Sequence, residues 1–253
     1  MMKDTIKSKR GIYILPSLFT TGNVFCGFYA IIAVFNEDYY VAAWAIVVAM
    51  VFDVLDGRVA RFTKTTSAFG EQYDSLADII SFGMAPAIMV YSWVLKPFGR
   101  LGWMAAFLFL LCAALRLARF NVSKPDVRSQ HFSGLPTPAA AAVTASIVIA
   151  FEDLFTTRMD PAIMVAVVYG LAFLMVSNIK YPAMKKFEFK KRVTFARFLF
   201  VILFLYIVAT IPRIALFILT FAYVVFGPIG PLLVKSRLAK QAAEKEPAPF
   251  TRK

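Results

Sequence analysis

The sequence predicts an all-α membrane protein, a bundle of about eight transmembrane helices with both termini on the cytoplasmic side. Three observations carry this prediction. Hydrophobic residues make up 60% of the 253 residues and charged residues only 17%, which lies outside the composition of a soluble globular domain. The mean hydropathy is +0.69. Apolar runs of about membrane-spanning length recur along the chain, and basic residues collect between alternate runs.

Eight apolar runs are close to the roughly 20 residues that a helix needs to cross a bilayer. A spanning segment must satisfy its backbone hydrogen bonds internally, and the sequence lacks the alternating pattern of a membrane β-barrel. Each run therefore predicts a helix. In chain order the runs are 17–36, 39–57, 74–94, 98–120, 137–156, 162–179, 195–211 and 214–234.

The distribution of Lys and Arg predicts how the helices are oriented. With eight spans both termini lie on one side, and 24 of the 28 basic residues then fall on that side. By the positive-inside rule this side is the cytoplasm, so the predicted location is the cell (inner) membrane. The net charge of +13 is spread over loops that meet one bilayer face. It therefore indicates anionic lipid headgroups, and no nucleic acid, as the partner.

Four aspartates are set into the second and third apolar runs, where a charge is costly unless it is compensated. Asp53 and Asp56 are three residues apart, and Asp74 and Asp78 are four apart, so each pair projects from one face of a helix. Carboxylates this close need a compensating charge, and hard divalent cations prefer oxygen ligands. The spacing predicts Mg²⁺ or Mn²⁺, and four carboxylates are enough for two ions.

Small and basic residues next to these carboxylates predict a phosphate-bearing ligand. Gly57 follows Asp56 directly and Gly70 precedes Asp74, so a ligand can approach the backbone closely at both pairs. Arg61 offers a planar fork of donors suited to phosphate. Together these features indicate a nucleotide diphosphate site. The alternative is that the aspartates are solvated helix ends, neutralised by the nearby basic residues.

The full constellation, Asp53-x2-Asp56-Gly57-x2-Ala60-Arg61-x8-Gly70-x3-Asp74-x3-Asp78, resembles the signature of the CDP-alcohol phosphatidyltransferase family at all eight specified positions. The resemblance implies a membrane enzyme that moves a phosphatidyl group from a CDP-linked lipid to an alcohol and releases CMP, and it implies a homodimer. The four aspartates would bind the metal, with Asp78 also the general base. Asp56, Gly57, Ala60, Arg61 and Gly70 would hold the CDP moiety.

Segments outside the signature bear on the acceptor alcohol. The runs 16–27, 115–121, 134–140 and 176–182 are similar to those of the membrane-type phosphatidylserine synthases of bacteria and archaea, a subgroup of the family. This resemblance implies CDP-diacylglycerol and L-serine as substrates. Asn23, Arg116 and Arg119 are the candidate acceptor residues. The two arginines share a helix face and could bind a carboxylate or a lipid phosphate, or could act only in topology.

The predicted organisation is a family core of six helices over 1–182, a basic loop with two further helices over 183–235, and a polar cytoplasmic tail over 236–253. Two alternative functions stay open. A sibling transferase would use glycerol 3-phosphate or inositol phosphate as acceptor. A divalent-cation transporter would also place carboxylates in the membrane, but its carboxylates should follow a path through the bilayer. Here all four lie within 26 residues, beside an arginine.

Overall fold

A computed structural model describes residues 3–63, 67–122, 131–154, 158–182 and 210–227. This part of the chain is a helical bundle with one short β-ribbon. The helices are α1 (Lys3–Phe35), α2 (Tyr39–Thr63), α3 (Ala68–Asp78), α4 (Ala85–Val90), α5 (Arg100–Val122), α6 (Thr137–Leu154), α7 (Pro161–Val176) and α8 (Pro212–Phe226). The strands are β1 (His131–Ser133) and β2 (Lys180–Pro182).

Four helical segments are long and apolar enough to cross a membrane, which confirms the predicted class. They are Pro16–Phe35, Tyr39–Thr63, Ala68–Phe98 and Arg100–Val122. Shorter apolar helices cover Thr137–Glu152, Pro161–Val176 and Pro212–Phe226, which overlap the fifth, sixth and eighth predicted runs. The run 195–211 lies almost wholly outside the described residues. The count of eight spans and the side of the termini therefore stay predictions.

Helices α1 and α2 form the most extensive contact of the bundle. Their facing residues are small: Ala30 and Ala33 on α1, with Ala42, Ala43 and Ala49 on α2, are almost fully buried. Small residues let two helix backbones approach closely, which is how membrane helices associate where lipid gives little hydrophobic drive. This pairing holds the C-terminal half of α2, with its aspartates, against α1.

The third long segment changes its helical winding twice. A π-helical turn over Ile79–Met84 joins α3 to α4, and another over Tyr91–Leu95 follows α4. π-turns interrupt the regular hydrogen-bond ladder and are frequent at functional sites. The first begins directly after Asp78, and its Ser81 hydroxyl donates to the Asn23 carbonyl at 2.9 Å. A Cβ at Gly27 would lie 2.7 Å from the Ser81 Cα, so this crossing requires glycine.

A two-stranded antiparallel ribbon, with His131 opposite Pro182 and Ser133 opposite Lys180, joins the segment before α6 to the segment after α7. The sequence predicts no strand here. Three-residue strands carry too little alternation to be recognised, and their partners lie far apart in the chain. The pairing brings the N-terminal end of α6 next to the C-terminal end of α7.

Candidate active site

The aspartates of α2 and α3 meet where the two helices come together. Carboxylate oxygens of Asp53, Asp56 and Asp74 all lie within 4.8 Å of one another. Asp78 lies outside this tight set, but its carboxyl group contacts that of Asp53 and interacts electrostatically with Asp56 and Asp74. The structure therefore brings all four predicted metal ligands to one place, with three of them in mutual ligand range.

Local capping starts α3 at the right point to present its aspartates. Ser67 adopts an extended backbone before the first turn, and its hydroxyl accepts from the Gly70 backbone N–H at 3.0 Å. Such a side-chain cap satisfies a donor that the helix itself leaves free. The cap therefore defines where α3 begins, six residues before Asp74.

Neighbouring side chains hold α3 between α1 and α5. The Tyr73 hydroxyl shares a hydrogen bond with Thr21 of α1 at 3.0 Å. On the other flank, the Asn121 amide of α5 donates to the Ser75 hydroxyl at 2.9 Å. Tyr73 and Ser75 flank Asp74 in sequence. Their hydrogen bonds therefore restrict the rotation of α3 about its axis and hold Asp74 toward α2.

The acidic cluster has oxygens that the protein does not satisfy. One buried side-chain oxygen on each of Asp56, Asp74 and Asp78 has no hydrogen-bond partner among the described residues. Buried carboxylate oxygens without partners are strongly unfavourable. Converging hard oxygen donors of this kind suit a divalent cation. The residues present thus fit a metal, and the cluster could hold one.

An open cleft lies directly beside the cluster. It contains all five predicted CDP-binding positions, and polar residues of α1 and of the α3 N-terminus complete it. Its lining residues are Pro16, Ser17, Thr20, Asp56, Gly57, Ala60, Arg61, Ser67, Gly70, Glu71 and Asp74. The four signature residues other than the aspartates are therefore grouped around one ligand-sized space.

Internal packing does not explain the glycine at position 57. The nearest atoms to a Cβ there would belong to the Arg61 guanidinium, at 3.6 Å, which is ordinary van der Waals contact. A larger residue would fit against the protein itself but would extend into the cleft. The absence of a side chain at Gly57 thus keeps space open for a ligand between Asp56 and Arg61.

The two candidate acceptor arginines on α5 lie in different environments. Arg116 is 8% exposed, its Nη1 donates to the Thr137 hydroxyl at 3.0 Å, and its Nε has no partner among the described residues. Its charge interacts with Asp78. A buried guanidinium with free donor capacity next to a carboxylate cluster is suited to bind an anion.

Arg119 is instead engaged with the backbone. Its Nη1 and Nη2 donate to the carbonyls of Val176 and Ser133, each at 2.9 Å. Weaker bonds reach the carbonyls of Met175 and Ser177 at 3.3 Å. A cation that caps the last carbonyls of α7 in this way stabilises the helix end and the ribbon. These bonds favour a structural role for Arg119 and leave Arg116 as the better acceptor candidate.

The third acceptor candidate, Asn23, is fully buried, and neither polar atom of its side-chain amide has a partner among the described residues. Thr20, one helical turn earlier, is not among the site residues predicted from the sequence, yet it contacts Asp56 and lines the cleft. The three-residue spacing between Thr20 and Asn23 could have indicated a shared polar face. It could not show that this face points at Asp56.

Comparisons with known proteins agree with this geometry. Residues 13–177 match the profile of the CDP-alcohol phosphatidyltransferase family. The CDP-diacylglycerol–serine O-phosphatidyltransferase of Helicobacter pylori is 37% identical over 228 residues, which cover 90% of this chain and 94% of that protein. The Bacillus subtilis protein of the same name is 32% identical, over 68% of this chain and 92% of its own.

An archaeal relative extends the comparison. The archaetidylserine synthase of Methanothermobacter thermautotrophicus is 36% identical over 184 residues, which cover 72% of this chain and 74% of that protein. The family match includes both aspartate pairs, the cleft and Arg116. With its membrane-spanning helices and its acidic site, this chain belongs to the CDP-alcohol phosphatidyltransferase family.

Proposed function

We propose that this chain transfers the phosphatidyl group of CDP-diacylglycerol to the hydroxyl of L-serine, giving phosphatidylserine and CMP. The observation that carries the choice of acceptor is the buried cation Arg116 beside Asp78. In serine the hydroxyl and the carboxylate stand on adjacent carbons. A base that takes the hydroxyl proton therefore needs a carboxylate-binding group close to it. The named activities of the bacterial relatives support the same acceptor.

The cleft beside the aspartates is the donor site. Arg61 binds the diphosphate through its fork of donors, and Gly57, Ala60 and Gly70 leave room for the CDP moiety to lie against the backbone. Asp56 lines the same cleft and belongs to the acidic cluster. The nucleotide is thus held with its diphosphate next to the carboxylates, and the lipid tail can extend into the bilayer.

Asp53, Asp56, Asp74 and Asp78 hold Mg²⁺ or Mn²⁺, with capacity for two ions. A bound metal supplies charge stabilisation to the diphosphate and to the leaving CMP. The unpartnered oxygens of three of these carboxylates support this assignment. The cluster combines four like charges in a poorly solvated place, and the nearby Arg61 and Arg116 offset them only in part.

Asp78 takes the proton of the serine hydroxyl while the hydroxyl oxygen of serine attacks the phosphorus. The new bond joins the serine oxygen to the phosphatidyl phosphorus, and the bond that breaks is the diphosphate link to CMP. Asp78 suits this step because one of its oxygens is buried without a partner and because it stands next to Arg116. Holding the acceptor carboxylate at Arg116 orients the hydroxyl toward that oxygen.

An acceptor screen tests the proposed function. Purified protein in detergent, supplied with CDP-diacylglycerol and a divalent metal, is assayed for CMP release with L-serine, glycerol 3-phosphate, inositol 1-phosphate and ethanolamine. We expect release with serine only. A phosphorylated acceptor would need more cationic groups than Arg116 alone provides, and ethanolamine lacks the carboxylate. Release with glycerol 3-phosphate and none with serine would overturn the proposal.

Arg116→Gln should raise the KM for serine by roughly 10- to 100-fold, because it removes a charge-assisted contact with the acceptor carboxylate. The KM for CDP-diacylglycerol should change little. Arg119→Gln is the matched control on the same helix. It should lower the melting temperature through its lost carbonyl bonds and leave the serine KM nearly unchanged. Initial rates over a series of serine concentrations give the KM, and a thermal melt gives the melting temperature. An unchanged serine KM in Arg116→Gln together with a raised serine KM in Arg119→Gln would contradict the assignment.

We place the protein in the cell (inner) membrane with its termini and active site facing the cytoplasm, and we expect a homodimer because the family resemblance implies one. The support is the collection of basic residues on one side of the predicted spans, which would place the donor cleft where the water-soluble substrate serine is supplied. In this arrangement 1–182 is the catalytic core, 183–235 adds a basic loop and two helices, and 236–253 is a cytoplasmic tail.

A further inference from the structure

A second cavity lies at the end of the bundle remote from the acidic cluster. The Tyr39 hydroxyl, at the start of α2, lies 3.3 Å from the hydroxyl of Ser92, which lines this cavity. Between Tyr39 and Asp56, α2 rises about 26 Å at 1.5 Å per residue. The hydrocarbon core of a bilayer is about 30 Å thick. The cavity therefore lies at the opposite membrane interface from the active site.

The size and lining of this cavity suit an amphipathic anion. Its volume is about 500 Å³, within the roughly 300–1,000 Å³ that ligand sites have. Lys96 and Arg158 line it, no acid is among its described lining residues, and Val94, Met159 and Pro161 give it apolar walls. In the predicted topology only four of the 28 basic residues fall on this side, where the positive-inside rule disfavours them. Two of those four meet at one cavity.

Neutral groups hold Arg158 in place at this cavity. Its Nη1 donates to the Trp93 carbonyl at 3.0 Å, and its guanidinium carbon lies 5.1 Å from the centroid of the Tyr39 ring. Two neighbouring acids are bound elsewhere: Glu152 accepts from the Trp93 indole at 2.6 Å, and Asp160 accepts from the Ala162 backbone N–H at 2.7 Å. A carbonyl and an aromatic ring orient a guanidinium without neutralising its charge. Arg158 is therefore positioned and still able to bind an anion.

We propose that this cavity binds the headgroup phosphate of an anionic phospholipid, in the membrane leaflet remote from the aspartates. Arg158 offers planar donors to the phosphate oxygens and Lys96 adds a point charge. The apolar walls suit the glycerol backbone and the first carbons of the acyl chains, which a free phosphate lacks. Lys96 follows the second π-turn and Arg158 precedes α7, so a bound lipid joins these two segments and stabilises the bundle. The site is separate from the proposed reaction.

The test titrates the full chain, purified in a neutral detergent, with phosphatidylglycerol and counts the bound lipid by native mass spectrometry. We expect Lys96→Gln and Arg158→Gln each to weaken this binding about five-fold, the effect of one basic residue on an anionic headgroup. Phosphatidylglycerol should also raise the melting temperature of the unsubstituted protein, because a ligand of the folded state stabilises it. Lys96→Gln should lose most of this rise and keep its lipid-free melting temperature, since Lys96 is exposed.

Arg100→Gln is the matched control, because Arg100 is an exposed basic residue on the same predicted side that does not line the cavity. It should bind phosphatidylglycerol as the unsubstituted protein does, and uncharged phosphatidylcholine should bind more weakly to both. Unchanged binding in Lys96→Gln, or an equal loss in Arg100→Gln, would overturn the inference. So would a loss in Arg61→Gln alone, which indicates lipid in the donor cleft. Soluble glycerol 3-phosphate that stabilises the protein as much as phosphatidylglycerol does would indicate a site for free phosphate and overturn the lipid assignment.

Discussion

Asp78→Asn should lower kcat by about 10²- to 10⁴-fold, the contribution that a positioned general base makes to proton transfer. Asparagine has nearly the same shape, so α3 and its packing should survive, but an amide cannot take the proton of the attacking hydroxyl. The KM for CDP-diacylglycerol should change much less than kcat, because Asp78 is outside the donor cleft. CMP release measured over series of both substrates gives the two parameters.

A matched control is Asp160→Asn. Asp160 caps α7 by accepting from the Ala162 backbone N–H at 2.7 Å, and asparagine caps a helix about as well. This variant should keep its kcat. Thermal melts of both variants would show whether a loss of activity reflects unfolding. A kcat in Asp78→Asn within about ten-fold of the unsubstituted value would remove Asp78 as the base.

Removal of divalent metal should abolish CMP release, and Mg²⁺ or Mn²⁺ should restore it. The acidic cluster has unpartnered oxygens and brings three carboxylates within 4.8 Å, and without a metal its negative charge is offset only in part, by Arg61 and Arg116. Metal that binds only the folded protein also stabilises it, by about 2.7 kcal/mol at a hundred times its dissociation constant. The melting temperature should therefore fall after chelation and rise with added metal.

Asp56→Asn tests whether this effect comes from the cluster. The variant should need a higher metal concentration for half-maximal stabilisation, because it loses one charged ligand. Asp38→Asn changes an exposed aspartate at the start of α2, where its carboxylate accepts from the Val41 backbone N–H at 3.1 Å, and should respond to metal as the unsubstituted protein does. Full activity after complete chelation would contradict the metal assignment.

The four aspartates and their spacing could be located in the sequence because charge in an apolar run is rare and costly. The long helices could be predicted as well, since a bilayer demands about 20 apolar residues in a row. The predicted ends of the helices were less accurate. Helix α2 extends to Thr63, and the third helical segment begins at Ala68, ahead of the predicted 74. Its polar first turn, capped by Ser67, has no apolar signal.

The roles of the two arginines could not be separated in sequence. Arg116 and Arg119 are of the same type and three residues apart on one helix, so periodicity treats them alike. Their difference depends on what each meets: Arg119 reaches carbonyls at the end of α7, and Arg116 meets Thr137 and the aspartate cluster. Both contacts join segments that are remote in the chain, and local spacing carries no information about them.

The amino-acid sequence by itself determined the membrane class, the acidic signature and the kind of ligand that such a signature can hold, because these follow from composition and from spacing along one helix. Only the tertiary structure decided which residues meet: Asp53, Asp56 and Asp74 at one point, Thr20 against Asp56, and Arg116 against Thr137 of α6. The physical reason is that such meetings depend on how helices pack against one another, and packing is set by many weak contacts between distant parts of the chain.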